Sequence, residues 1–225
     1  MDAATTPALH ALRTRRQWLL FAAMVLVAAI ASHLLDHTMW QHVRDPRVYE
    51  KDFGRLLRLV GFLPTWLIVA VALWTNDRGD AKRRSVGWGW RGGLVLLAPT
   101  AGGAVAEVLK MLVRRLRPAP DVFAYAWRPF SEDVFSTRGL GMPSSHTMVA
   151  FAGAAALSRV FPRAWGLWYL LAAGCAVTRV LALGHFFSDT VVAAALGYVV
   201  GVLLARAGGF GRSVAPQANS EFPVY

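Results

Sequence analysis

The chain alternates long apolar stretches with short polar connections. The stretches are 17–35 (QWLLFAAMVLVAAIASHLL), 56–74, 93–113, 146–161, 165–183 and 189–205. Most approach the roughly 20 residues a helix needs to cross a bilayer, and the fourth is shorter. The pattern predicts an all-α fold, a six-transmembrane-helix bundle forming a single membrane-embedded domain over residues 1–206. The tail 207–225 contains Gly, Ser and Pro without periodicity, so it is expected to be disordered.

Composition agrees: 56% of residues are hydrophobic and 16% charged, too apolar for an ordinary soluble domain. Arg13, Arg15 and Arg16 precede the first stretch, and Ala29-Ile30-Ala31 imitates a signal-peptidase site. The apolar core exceeds the roughly 7–15 residues of a signal peptide, which favours an uncleaved anchor. A net charge of +11 can mark a nucleic-acid partner, but its distribution argues against one. Arg13, Arg15, Arg16, Arg78, Lys82, Arg83, Arg84, Arg91, Arg159, Arg163, Arg206 and Arg212 fall in alternate connections, which the positive-inside rule assigns to the cytoplasm. Cys175 is the sole cysteine and lies mid-helix, excluding an internal disulfide and a zinc cluster. His10, His33, His37 and His42 match no motif and receive no role.

This topology sends one set of polar residues to the outer face. Lys110, Arg114, Arg115 and Arg117 end the third helix; Ser144, Ser145 and His146 begin the fourth; Arg179 ends the fifth; His185 and Asp189 begin the sixth. Arg128 and Arg138 join them from the connection 114–145, where Arg is interleaved with Phe, Tyr and Trp. That connection suits an interfacial segment or an aromatic belt. Cations placed against the positive-inside trend need another reason, and anion binding is the simplest.

In KMLVRRLRP (110–118), Lys110 and Arg117 are two helical turns apart, and Pro118 stops the helix. Snorkelling interfacial cations or a clamp on phosphoryl oxygens would both fit. Glu107, one turn before Lys110, is expected to pair with it. In GMPSSHT (141–147), Ser144 and Ser145 open a helix, where hydroxyl and backbone N–H groups can meet an anion, with His146 beside them. In RVLALGHFFSD (179–189), His185 and Asp189 share one helical face. They suit a structural pair, or a nucleophilic imidazole whose other nitrogen a carboxylate orients. Taken together, a nucleophile, a second histidine as proton donor, and Lys110, Arg117 and Arg179 compose a phosphoryl-transfer site without a metal.

At these residues the sequence resembles the type 2 phosphatidic acid phosphatase family. Its motifs KxxxxxxRP, PSGH and SRxxxxxHxxxD read here KMLVRRLRP (110–118), PSSH (143–146) and TRVLALGHFFSD (178–189), together spanning about a third of the chain. Ser145 replaces a glycine and Thr178 a serine. The resemblance implies that His185 attacks phosphorus to form a phosphohistidine while Asp189 orients it. His146 protonates the leaving oxygen and then activates water. Lys110, Arg117, Arg179, Ser144 and the N–H groups of Ser145 and His146 hold the phosphoryl oxygens, and no cofactor or metal is implied.

The same resemblance implies a multi-pass lipid phosphatase of the bacterial inner membrane, its site facing the periplasm. Its partners would be the bilayer and a phosphorylated membrane lipid, with no nucleic acid. The lipid would be an isoprenyl diphosphate such as undecaprenyl diphosphate, phosphatidylglycerol phosphate or phosphatidic acid. A lipid A phosphatase, a lipid phosphotransferase using the same site and a non-catalytic lipid-binding protein are the alternatives.

Overall fold

The computed structural model describes residues 14–79 and 90–207. The expected disordered tail, all but its first residue, and the cations at 13, 82–84 and 212 lie outside the described residues. The chain is helical, with no β-strand among the described residues. Its elements are α1 (Arg15–His42), α2 (Asp52–Leu59), α3 (Leu63–Arg78), α4 (Trp90–Val113), α5 (Ser145–Val160), α6 (Trp165–Leu181) and α7 (Phe187–Ala207).

Four helical stretches are long and apolar enough to cross a membrane: Arg15–His42, Trp90–Val113, Pro162–Leu181 and Phe187–Ala207. Counting the bent α2–α3 pair as one makes five. The structure is thus that of a multi-pass membrane protein. The 16 residues of α5 span about 24 Å, short of the sequence's expectation of a sixth full crossing.

The sequence also expects one continuous helix over 56–74, and here the structure corrects it. The chain breaks between Leu59 and Leu63 and turns by 65°. Pro64 is the cause: it has no N–H to give the Val60 carbonyl, and its ring clashes with that turn. Trp66 replaces the lost bond, its indole N–H donating to Val60 O at 2.9 Å.

The bundle forms around α5, where 11 of 16 residues are buried, packed by α4, α6 and α7. Small side chains permit this. Gly197 and Gly201 lie four apart on one face of α7, and a Cβ there would stand 2.5 Å from Met148 O and 2.8 Å from Ala152 O. Such close approach of backbones lets helices associate where lipid removes the hydrophobic drive. Gly153 likewise yields its space to the Trp66 ring. On the periphery, α1 buries only Ser32 and Asp36 and turns Leu19, Leu20, Leu26 and Leu34 outward, as a lipid-facing helix should. At the end away from the motifs, Arg91 pairs with buried Asp77 at 2.9 Å.

Gly197→Leu is expected to lower stability by about 1–3 kcal/mol through overpacking, read as an earlier thermal unfolding midpoint in detergent. Gly93→Ala, with nothing within 4 Å, should not lower it. Equal midpoints for both variants would refute this account of α5–α7 packing.

Candidate active site

Four helix ends and one long connection meet at the motif end of the bundle. The connection begins where Arg114, at φ 59, ends α4 in the left-handed region, before the stop at Pro118 that the sequence expects, so Arg117 lies off the helix that carries Lys110. From there the backbone folds over the bundle as a cap. Leu116 N donates to Ala126 O at 2.8 Å, Arg117 N to Gly139 O at 3.0 Å and Gly141 N to Arg115 O at 2.7 Å. Isolated bridges join Arg115 to Trp127 and Leu116 to Leu140.

The cap's aromatic residues dock on α1. Tyr125 stacks on His33 at 4.8 Å, and Phe123 meets His37 at 4.8 Å and Trp40 at 5.9 Å. Both cap residues pack on Phe186. Trp40 Nε1 and Arg44 Nη1 donate to the carbonyls of Ala119 and Pro120. Two histidines without a motif therefore serve this packing.

Several cap cations serve the protein itself, which corrects the expectation that anion binding explains them. Arg114 donates to the carbonyls of Arg128, Pro129 and Glu132. Arg128 donates to those of Ser136 and Arg138. Arg115 donates to Asp189 Oδ1 at 2.5 Å and to Ser188 Oγ at 2.8 Å.

Asp189 is fully buried at the start of α7, while His185 precedes that helix, so the two do not share a helical face as their spacing predicts. Its Oδ2 accepts from Phe186 N at 2.9 Å and stands 3.8 Å from His185 Nδ1. His185 Nδ1 itself lies 2.7 Å from Gly141 O. A carbonyl only accepts, so Nδ1 carries the proton and Nε2 presents its lone pair. The sequence assigns this orienting task to Asp189 alone; the structure divides it between a cap carbonyl and the carboxylate. Burial holds the His185 pKa below the ordinary histidine range, against the opposing pull of Asp189. Burial thus favours the neutral ring, the form that a nucleophilic role would require.

A second carboxylate supports the first. Asp36, buried on α1, accepts from Ser188 N at 2.8 Å, Ser188 Oγ at 2.5 Å and Tyr125 OH at 3.0 Å. It lies 3.9 Å from Arg115. Sequence reasoning missed Asp36 and Ser188, and counted Arg115 only among the outer-face cations. The sequence places Asp36 just past the first apolar run, in a loop; α1 instead continues to His42 and buries that acid, which then needs a partner.

The motif residues assemble as follows. Lys110 is buried and donates to Glu107 Oε1 at 2.9 Å and to Ser145 Oγ. Ser145 Oγ donates to the same Glu107 oxygen at 2.5 Å. The hydroxyl that replaces the family glycine thus turns toward α4. Ser144 N lies 3.4 Å from Asp189 O, and Ser144 makes no side-chain cap bond to α5, whose first N–H groups stay open to a ligand. Arg117 is exposed, with Nε 3.4 Å from Leu140 O.

Arg179 is buried and donates to Tyr49 OH at 2.9 Å. Its Nε is buried with no hydrogen-bond partner among the described residues. His146 stands at the first turn of α5, its backbone against Cys175. Thr178, the second motif departure, spends its hydroxyl on Cys175 O at 2.8 Å. Among the described residues, no group of three or more His, Cys, Asp or Glu side chains is placed to hold a metal ion.

The PAP2 superfamily matches residues 91–210, just over half of the chain. No curated protein matches the sequence. Among solved structures, the fold is similar to that titled the first transmembrane PAP2 type phosphatidylglycerolphosphate phosphatase from Bacillus subtilis. The TM-score is 0.62 at 19% identity, covering 88% of this chain and 98% of that one.

Arg115→Ala should leave Asp189 and Asp36 buried without their cation, at a cost of about 3–5 kcal/mol. Arg117→Ala, at an exposed position, should cost far less. Comparable unfolding midpoints of the two variants in detergent would show that Arg115 does not hold the site together.

Proposed function

The chain belongs to the PAP2 superfamily, and on that premise we propose that it is a lipid phosphatase working through a phosphohistidine without a metal. One observation carries the reading. His185, its Nδ1 proton committed to Gly141 O, opens Nε2 at an end of the bundle that also bears Lys110, Arg117 and Arg179.

In the proposed reaction the lone pair of His185 Nε2 attacks phosphorus, and the bond from phosphorus to the lipid oxygen breaks. His146 gives that oxygen a proton. The developing charge on the phosphoryl oxygens meets Lys110, Arg117, Arg179 and the open N–H groups of Ser145 and His146, with Ser144 beside them. Water then attacks phosphorus, His146 takes its proton, the P–N bond breaks, and phosphate leaves. Asp189, held by Arg115, stabilises the charge that His185 acquires.

The substrate is read as an isoprenyl diphosphate or a glycerophospholipid phosphate. The similarity to a protein titled a phosphatidylglycerolphosphate phosphatase supports the second class, and the cationic end of the bundle suits both. We place the protein in a bacterial inner membrane as one domain over 1–206, with α5 as a short sixth crossing and the cap on the periplasmic side. Arg78, Arg91 and Arg206 at the other end of the helices support that orientation.

With EDTA present, the parent protein is expected to release inorganic phosphate from undecaprenyl diphosphate or phosphatidylglycerol phosphate in detergent, and His185→Ala to release none. Phosphate release that stops on chelation and returns with magnesium would rule out the metal-free route.

Phe135 in the cap is 92% exposed. A cysteine there should react with a membrane-impermeant maleimide added to intact spheroplasts. Reaction only after permeabilisation would reverse the orientation.

A further inference from the structure

A fourth cation, outside all three motifs, belongs to this end of the bundle. Arg58 is exposed on the last turn of α2, its guanidinium 4.8 Å over the ring of Tyr49. The same tyrosine accepts from Arg179 Nη1 at 2.9 Å and donates to Thr178 O at 3.2 Å. The Arg179 guanidinium lies 5.8 Å from its ring. One aromatic side chain thus sets both guanidiniums.

The backbone of this segment is pressed against the proposed general acid. Gly61 N donates to Arg58 O at 3.0 Å. A Cβ on Gly61 would stand 2.7 Å from His146 Cβ and 2.9 Å from Cys175 Sγ, so only a glycine fits here. The Arg58 charge lies within electrostatic range of His146. Neighbouring acids are engaged elsewhere, Asp45 by Lys51 at 2.7 Å and Asp52 by Arg55 at 3.4 Å. Arg58 makes no ion pair among the described residues.

Position gives this cation its meaning. Lys110, Arg117 and Arg179 suffice for the three outer oxygens of a phosphoryl group. In the proposed reaction His146 faces the leaving oxygen, so a cation on its side meets whatever lies beyond the scissile bond. A phosphatidic acid leaves as a neutral diacylglycerol and offers nothing there. A lipid diphosphate leaves as a lipid monophosphate, with anionic oxygens one bridging oxygen away.

We propose that Arg58, held over Tyr49 beside His146, binds the second phosphate of a lipid diphosphate and makes this chain selective for such substrates over lipid monophosphates. The inference rests on the phosphatase reading above and adds a residue and a substrate class to it. Arg58 is a specificity residue in that scheme: it moves no proton and forms no bond to the transferred phosphorus. A charge-assisted contact of this kind amounts to about tenfold to a hundredfold in kcat/KM.

The test compares the parent, Arg58→Gln and Arg58→Lys on farnesyl diphosphate and on short-chain phosphatidic acid in one detergent, with unfolding midpoints recorded for each protein. The selectivity ratio, kcat/KM for the diphosphate over the monophosphate, should fall by about tenfold or more in Arg58→Gln and recover substantially in Arg58→Lys. An unchanged ratio, or equal loss on both lipids, would overturn the assignment. Preference of the parent for phosphatidic acid would overturn it too. Activity of the parent on undecaprenyl diphosphate or phosphatidylglycerol phosphate but on neither of these lipids would overturn the assignment, whereas phosphate release from none of the four would defeat the phosphatase reading, and this inference with it.

Discussion

A fully buried carboxylate at the mouth of a membrane bundle must be paired, and the arrangement of the site follows from how Asp189 is paired. Its partner, Arg115, comes from a segment 74 residues earlier in the chain. To deliver it, the backbone must leave α4 at once after Val113. Arg114 accomplishes this in the left-handed conformation, at a cost of roughly 1–2 kcal/mol, which its three bonds to cap carbonyls offset. The same path brings Gly141 O to the His185 imidazole. Pairing one charge therefore positions the cap, and the cap selects the tautomer.

That economy separates two kinds of cation in a region where the sequence shows only an excess of arginine. Arg114, Arg115 and Arg128 spend donors on carbonyls and carboxylates of the protein. Lys110, Arg117 and Arg179 converge from different segments onto one end of the bundle, with Lys110 keeping one N–H beyond those it gives Glu107 and Ser145 and Arg117 standing exposed. Like charges converge at a cost unless an anion arrives to offset it. Such a cluster is the electrostatic signature expected of a site preorganised for phosphate.

The helices and the motif residues were legible in the sequence because both are local patterns. Apolar runs reveal α1, α4, α6 and α7, and fixed spacings mark Lys110, Arg117, His185 and Asp189. What stayed hidden depends on distant partners. Nothing near Asp36 announces that Ser188 and Tyr125 will enclose its carboxylate. Arg115 is one arginine among several until the cap folds. The carbonyl of Gly141 has no side-chain signal at all. The break before α3 was concealed by apolar residues running through it, with Pro64 as its sole marker. The spacing of His185 and Asp189 suggested a direct bond, yet they stand 3.8 Å apart because Phe186 N and Arg115 occupy the carboxylate.

The departure at Ser145 follows the same logic. A hydroxyl placed where the family has glycine needs a partner once it leaves water, and Glu107 provides one. Ser145 donates to Glu107 Oε1 while accepting from Lys110, which donates to that same oxygen. Three side chains thereby satisfy one another on the α4 side of the site. An ammonium has three N–H groups; two are committed here, and one remains. The backbone N–H of Ser145, at the open first turn of α5, is untouched by the exchange of glycine for serine. The motif has thus gained a side chain without losing the donor that the proposed chemistry requires, because the hydroxyl and its acid neighbour answer each other.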